Sequence, residues 1–251
     1  MALPLLAGKR IAVLGSASGL GLAVAAAAEA AGAEVLGIDG AARFDHLSAL
    51  YRIEPGEAGA AEAVAAALPE GLDGLALLPA LPEGPPARQL AEALALPRML
   101  GDLLGPRMAP GGAILVRGAA EDGQRAAALG AIRAGVSLRP GHGAAFAARW
   151  GLDTEPGTTP RLIGWAMQAW AMGRATRWPR IRVNTLTTAA ADGRLPTAQA
   201  AAVGLDPSAG PALAARAAVF LLSDLAAGLT GATLAADGGA EAQLKTSLEG
   251  L

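Results

Sequence analysis

The sequence predicts a doubly wound α/β fold, in which a parallel sheet carries helices on both faces. Two features predict it. Short apolar runs that read as strands alternate with longer runs that read as helices, and strands joined through helices pair in parallel by right-handed crossovers. The strand runs are also continuously apolar rather than alternating, as strands covered on both faces are. With 251 residues the chain is long enough for one such domain around one large core.

Lys9 to Leu14 is an apolar run ending at Gly15 and reads as a buried strand. Leu20 to Ala31 reads as a helix closed by Gly32, a residue that readily takes the left-handed conformation at a helix end. Glu34 to Ile38 is a second strand with Asp39 at its end. Ala58 to Leu68 is a helix, Leu72 to Leu78 a strand, and Pro79 to Pro86 a proline-rich loop. Gln89 to Met108 reads as a helix that Pro97 kinks or breaks, because proline has no N–H for the helical ladder. Gly112 to Val116 is a strand, Arg161 to Arg177 a helix and Ile181 to Leu186 a strand. Pro211 to Ser223 is a helix and Thr233 to Ala236 a last short strand. No internal repeat or interdomain linker stands out, so residues 1–251 are expected to form a single domain. The stretch around 120–159 fits the alternation least well. It holds Arg125, Arg133, Arg139, His142, Arg149 and Trp150 and reads as an inserted helical segment.

Composition narrows the function. Hydrophobic residues make up 53% and charged residues 17%, and much of the apolar share is alanine, which favours helix but fills little volume. The net charge of −2, with no basic stripe, argues against a nucleic-acid partner. The absence of cysteine removes disulfides, thiolate nucleophiles and cysteine metal sites, and with only His46 and His142 a multi-histidine metal site is excluded too. The opening MALPLLAGKR does not read as a secretory signal. No run of about 18 apolar residues lacks a charge or a breaker, so no membrane span and a cytoplasmic location are expected.

The stretch VLGSASGLGLAVA places Gly15, Gly19 and Gly21 between a strand and a helix. In such a turn the first glycine allows the tight bend, the second a close backbone approach to a pyrophosphate, and the third close helix–strand packing. The first turn of the helix, from Gly19 through Leu20 to Gly21, then faces the phosphates with its positive end. Ser16 and Ser18 can add hydroxyl donors. Asp39 ends the next strand, where a carboxylate can accept from both ribose hydroxyls and repel a 2′-phosphate, which favours NAD over NADP. The opposing interpretation is that the glycines serve only packing.

At this point the chain resembles the short-chain dehydrogenase/reductase family along nearly its whole length. GSASGLG is similar to that family's cofactor loop, LDGLALLPA to the segment ending in its Asn-Asn-Ala-Gly strand, and GGAILV to the strand before its catalytic serine. IRVNTL resembles its Ile-Arg-Val-Asn strand, and LLSDLAAGLTGATLAADGG its C-terminal signature. The segment between Gly118 and Arg161 resembles the branch containing bacterial 3α-hydroxysteroid dehydrogenase/carbonyl reductase. The resemblance implies a Rossmann fold with a single seven-stranded parallel sheet and an oligomer. It also implies a catalytic tyrosine and lysine four residues apart, a serine and an asparagine.

Those four roles look vacant. By the resemblance the asparagine falls near Ala93, the serine at Gly118 or Ala119, the tyrosine at Gly157 or Thr158, and the lysine at Arg161 or Leu162. The single tyrosine is Tyr51, far away in sequence. On the cofactor side the adenine-facing acid is replaced by Arg52, the Asn-Ala-Gly turn by Leu78-Pro79-Ala80, and a later Pro-Gly by Thr188-Ala189.

Three readings follow. The first is a catalytically silent member, a structural or regulatory subunit that forms a homo-oligomer or pairs with an active relative. The second is an NAD(H)-dependent oxidoreductase rebuilt on Arg161, Thr158 or His142. The third is a non-redox binder of a nucleotide or an anionic metabolite, using the arginines of the inserted segment. Trp165 and Trp170, on the helix the family uses for subunit contacts, read either as an interface or as core. His46 and Asp45 read as solvated loop residues.

Overall fold

The computed structural model describes residues 4–41, 46–154, 157–189 and 210–249, together with residues 197, 201, 206 and 208. Asp45 lies outside the described residues. The chain runs β1 (Arg10–Leu14), α1 (Gly19–Ala30), β2 (Glu34–Asp39), β3 (Ala49–Arg52), α2 (Ala60–Ala67) and β4 (Gly74–Leu77). It continues through α3 (Pro86–Leu90), α4 (Leu96–Leu104), β5 (Ala113–Arg117), α5 (Leu129–Gly135), α6 (Gly143–Trp150) and α7 (Thr158–Ala175). The last described elements are β6 (Arg182–Thr187), α8 (Gly210–Leu222), β7 (Thr233–Ala235) and α9 (Ala240–Glu249).

The strands form one parallel sheet of seven, in the order β3-β2-β1-β4-β5-β6-β7. This is the doubly wound fold that the alternation predicts. Successive residues of β1 explain its apolar run: Ile11 and Val13 enter the core on one face, Ala12 and Leu14 the core on the other. On one face α1 and α8 pack together over the sheet. Their alanine-rich surfaces allow the close approach. The other face carries α2, α4 and α7.

Three details depart from or refine the sequence expectation. β3 is not legible as an apolar run, because it is a four-residue edge strand whose residues are only partly buried or exposed. The helix around Pro97 divides into α3, a π-helical turn (Ala91–Ala95) and α4. Pro97 cannot donate a backbone hydrogen bond, so the ladder shifts register at that point. α7 begins at Thr158, three residues earlier than the apolar pattern indicates.

The segment between β5 and α7 holds α5 and α6. These helices and the turn between them bury Ile132, Leu138, Phe146 and Ala147 in the core shared with α7. Trp165 and Trp170 are both buried core residues, which decides between their two readings. Trp170 packs against Gly101, where an added Cβ would lie 2.5 Å from the indole ring. Its Nε1 donates to Asp102 at 3.0 Å, and Arg174 Nε donates to the same carboxylate at 2.6 Å.

Two residues of the Ile-Arg-Val-Asn strand act as struts. Arg182 is buried and donates to the carbonyls of Leu221 (2.7 Å) and Ser223 (2.9 Å), at the negative end of α8. Asn184 donates from Nδ2 to the Leu229 carbonyl (2.8 Å) and accepts from the Ala232 N–H (3.1 Å), which fixes the approach to β7. Asp237 caps α9 by accepting from the N–H groups of Gly239 (2.9 Å) and Glu241 (2.8 Å). No described helix is long and apolar enough to cross a membrane.

Candidate functional site

The sheet order reverses between β1 and β4, and ligands of open α/β sheets bind beyond the strand ends at such a switch point. A cleft of about 150 Å³ lies there. Gly15 and Ser18 of the glycine loop, Asp39 at the end of β2, and Pro79 and Ala80 after β4 line it. Ile38, Ile53, Pro55 and Leu96 form its apolar side. Glu92 also lines it and pairs with Arg88 at 2.8 Å.

The predicted binding residues divide into two groups. Ser18 and Gly19 are exposed at the start of α1, and the Ser18 side chain does not cap the helix, which leaves its first-turn N–H groups open to an anion. Ser16, Leu20 and Gly21 are buried. The Ser16 hydroxyl has no hydrogen-bond partner and faces the backbone of β2, where a Cβ on Gly37 would lie 2.7 Å from it. It therefore does not reach the cleft as a phosphate donor. A Cβ on Gly21 would collide with the Gly15 carbonyl, and one on Gly15 with the Leu78 carbonyl. The fold itself requires both glycines.

Asp39 is likewise bound into the loop. Its Oδ2 accepts from the Ala17 N–H at 2.9 Å and its Oδ1 from the Ala41 N–H at 3.1 Å. Each oxygen has a second lone pair, so the carboxylate is preset and still able to accept. Arg52 pairs in register with Asp39 across β2 and β3 but is exposed and does not line the cleft.

A second cleft, of about 250 Å³, opens beyond β5 and the start of α7. It collects Gly118, Ala119, Arg161 and Thr188–Ala189, so part of the set of positions that the resemblance assigns does converge. Ala93, buried in the π-helical turn, and Thr158, at the first residue of α7, do not line it. Leu162 is buried in the core at 2% exposure.

The loop after β5 is clamped onto α7 at three points. Arg161 Nη1 pairs with Asp122 Oδ2 at 3.0 Å. Trp165 Nε1 donates to the Ala120 carbonyl at 3.1 Å. Gly164 brings the helix against the loop so closely that a Cβ there would lie 2.6 Å from the Ala119 N. A Cβ on Gly118 would lie 2.5 Å from Thr185 Cγ2 and 2.8 Å from Gln168 Cγ. The Gln168 side chain, with a buried and unpartnered Oε1, thus fills the space beside Gly118.

Asp122 escapes sequence reasoning because it is distant in sequence from Arg161. Gln168 does leave a signal. Arg161, Trp165 and Gln168 recur at helical spacing on one stripe of α7, and Gln168 is the polar break in its apolar part.

His142 is exposed at the N-terminus of α6 and lines neither cleft. Arg133 and Arg139 are exposed, Arg125 pairs with Glu121 at 3.8 Å, and Arg149 stacks over Trp150. None of these arginines lines either cleft, so the structure does not gather them into an anion site. No group of three or more metal-ligating side chains occurs among the described residues.

No family model matches the sequence, and no curated protein does. Solved structures do match in fold. The 3α-hydroxysteroid dehydrogenase from Pseudomonas sp. B-0831 complexed with NADH is 23% identical, with a TM-score of 0.75 over 95% of this chain and 99% of that one. A short-chain dehydrogenase/reductase (glucose/ribitol dehydrogenase) from Brucella melitensis is 17% identical, with a TM-score of 0.67 over 95% and 98%. A protein described as a 2-deoxy-D-gluconate 3-dehydrogenase from Agrobacterium tumefaciens, with bound NADP, is 19% identical, with a TM-score of 0.63 over 94% and 98%. The chain therefore has the fold of the short-chain dehydrogenases along nearly its full length.

A nicotinamide dinucleotide, the cofactor this fold implies, would meet suitable groups for one of its halves at the first cleft and fewer for the other half at the second. The open N-terminus of α1 and the preset Asp39 suit an adenosine diphosphate. Beyond β5, Arg161 is paired with Asp122, Leu162 is buried in the core, and Gln168 occupies the room beside Gly118.

Proposed function

We propose that this chain is a short-chain dehydrogenase/reductase relative that keeps the nucleotide cleft and lacks the proton-transfer machinery, and that it serves as a non-catalytic structural or regulatory subunit. The packing beyond β5 supports this reading most. Gln168 fills the space a side chain at Gly118 would need, and Asp122 holds Arg161. Carbonyl reduction requires a titratable group within hydrogen-bond reach of the reacting oxygen. Tyr51 lies on β3, at the far edge of the sheet from β6 and β7, and arginine does not release its proton at neutral pH. The lysines are Lys9, paired with Asp224, and Lys245, on α9 and paired with Glu241.

The carboxylates of Asp39 and Glu92 at the first cleft favour NAD over NADP, because a 2′-phosphate would meet like charge. As a subunit the chain would pair with itself or with an active relative. Leu103 on α4 and Met172 on α7 are exposed large apolar side chains on neighbouring helices and support such a contact. The test is turnover by the purified chain with NAD(H) and a panel of aldehydes, ketones and secondary alcohols. The expected result is no rate above background, and steady turnover overturns the reading. Light scattering, alone and with a co-expressed active relative, tests the subunit role; a monomer in both settings removes it.

A further inference from the structure

The two clefts make opposite offers to the two halves of a dinucleotide, and no described residue lines both. At the first cleft, Ile38, Ile53 and Leu96 form an apolar side for a flat base. Asp39 is held by the Ala17 and Ala41 N–H groups, so a ribose 2′- or 3′-hydroxyl can donate to its remaining lone pairs without disturbing the loop. Little ordering is then required on binding. The Ser18 side chain leaves the N–H groups of the first turn of α1 uncapped, and such a helix start attracts a diphosphate.

At the second cleft the groups that would hold a riboside are engaged or turned away. Arg161 is paired with Asp122, Leu162 is buried, and the space beside Gly118 belongs to Gln168. We infer that the chain recognises the adenosine–diphosphate half of a dinucleotide and draws no binding from the nicotinamide riboside half. Its ligand class is then an adenosine 5′-diphosphate with a free 2′-hydroxyl, either alone or esterified at its terminal phosphate. This rests on the proposed retention of the nucleotide cleft and goes beyond it by naming which part of the ligand is read.

The test is isothermal titration of the full-length chain with ADP, ADP-ribose, NADH and NADPH. The series needs no substitution, so it does not depend on a variant that folds. ADP-ribose and NADH are expected to bind within about threefold of each other, with NADPH at least about tenfold weaker. Asp39→Asn, checked for folding by circular dichroism, is expected to weaken ADP-ribose by about tenfold. Binding of NADH more than about thirtyfold tighter than ADP-ribose would show that the nicotinamide half is engaged. That result would overturn the inference while leaving the retained cleft intact. No binding of any of the four at millimolar concentration would overturn both.

Discussion

A methyl group on Gly21 has nowhere to go except into the Gly15 carbonyl, and one on Gly15 meets the backbone of Leu78 and Pro79. These glycines permit the loop, α1 and the end of β4 to interlock, whatever sits in the cleft. Gly21→Ala is expected to cost about 1–3 kcal/mol in urea unfolding, the usual range for a side chain forced into a packed site. Gly173, on α7, has nothing within 4 Å of an added Cβ. Gly173→Ala should instead stabilise the chain by about 0.5–1 kcal/mol through helix propensity and the narrower unfolded ensemble. The pair separates glycines that the fold requires from those it tolerates. Asp39 has the same double character. Its two bonds to the loop backbone mean that Asp39→Ala should lower stability by roughly 1.5–3 kcal/mol even without ligand. Any loss of nucleotide binding in that variant must be read against its melting curve.

Among the elements, α7 contributes most to the character of the second cleft. Arg161, Gly164, Trp165 and Gln168 lie along the face that meets the loop after β5. Trp165→Phe removes the bond to the Ala120 carbonyl, an expected loss of about 1 kcal/mol by thermal unfolding. The Arg161–Asp122 pair is partly exposed on both sides, at 34% and 18%. A double-mutant cycle should therefore give less than about 1 kcal/mol of coupling, shrinking in 1 M salt. The tryptophan, not the ion pair, is the firmer of the two clamps.

For the whole molecule, the proposed lack of proton-transfer machinery predicts that substitution at the vacant positions does not by itself supply a working site, because the surrounding packing does not fit the new side chains. Gly118→Ser would press on Gln168 and Thr185, and Leu162→Lys would place an ammonium group where the side chain is 2% exposed. An unpaired buried charge costs roughly 3–5 kcal/mol. The triple variant Gly118→Ser, Thr158→Tyr, Leu162→Lys is expected to be strongly destabilised and to show no carbonyl reduction. A folded triple variant with measurable turnover would show that the site is only a few side chains from activity.

Much of the architecture is legible in the sequence because apolar continuity and glycine punctuation report burial directly. β1, β2 and β4 to β7 and the break at Pro97 can all be read that way. β3 cannot, since a four-residue edge strand with partly exposed side chains leaves no apolar run. α9 leaves no such signal either, because its residues are mostly solvent-facing. The stretches that most resemble the dehydrogenases turn out to hold structural bonds. Arg182 and Asn184 brace α8 and the approach to β7, and Asp237 caps α9. Such residues serve the fold, so their presence does not report chemistry. By itself the sequence determined the parallel fold, the turn beside Asp39 and the absence of a tyrosine and a lysine where the resemblance expects them. Only the tertiary structure decided that Gln168 fills the space beside Gly118, that Asp122 holds Arg161 and that Ser16 faces inward. Those contacts join residues far apart along the chain, and no local pattern of spacing or hydrophobicity encodes which distant side chain will occupy a given space.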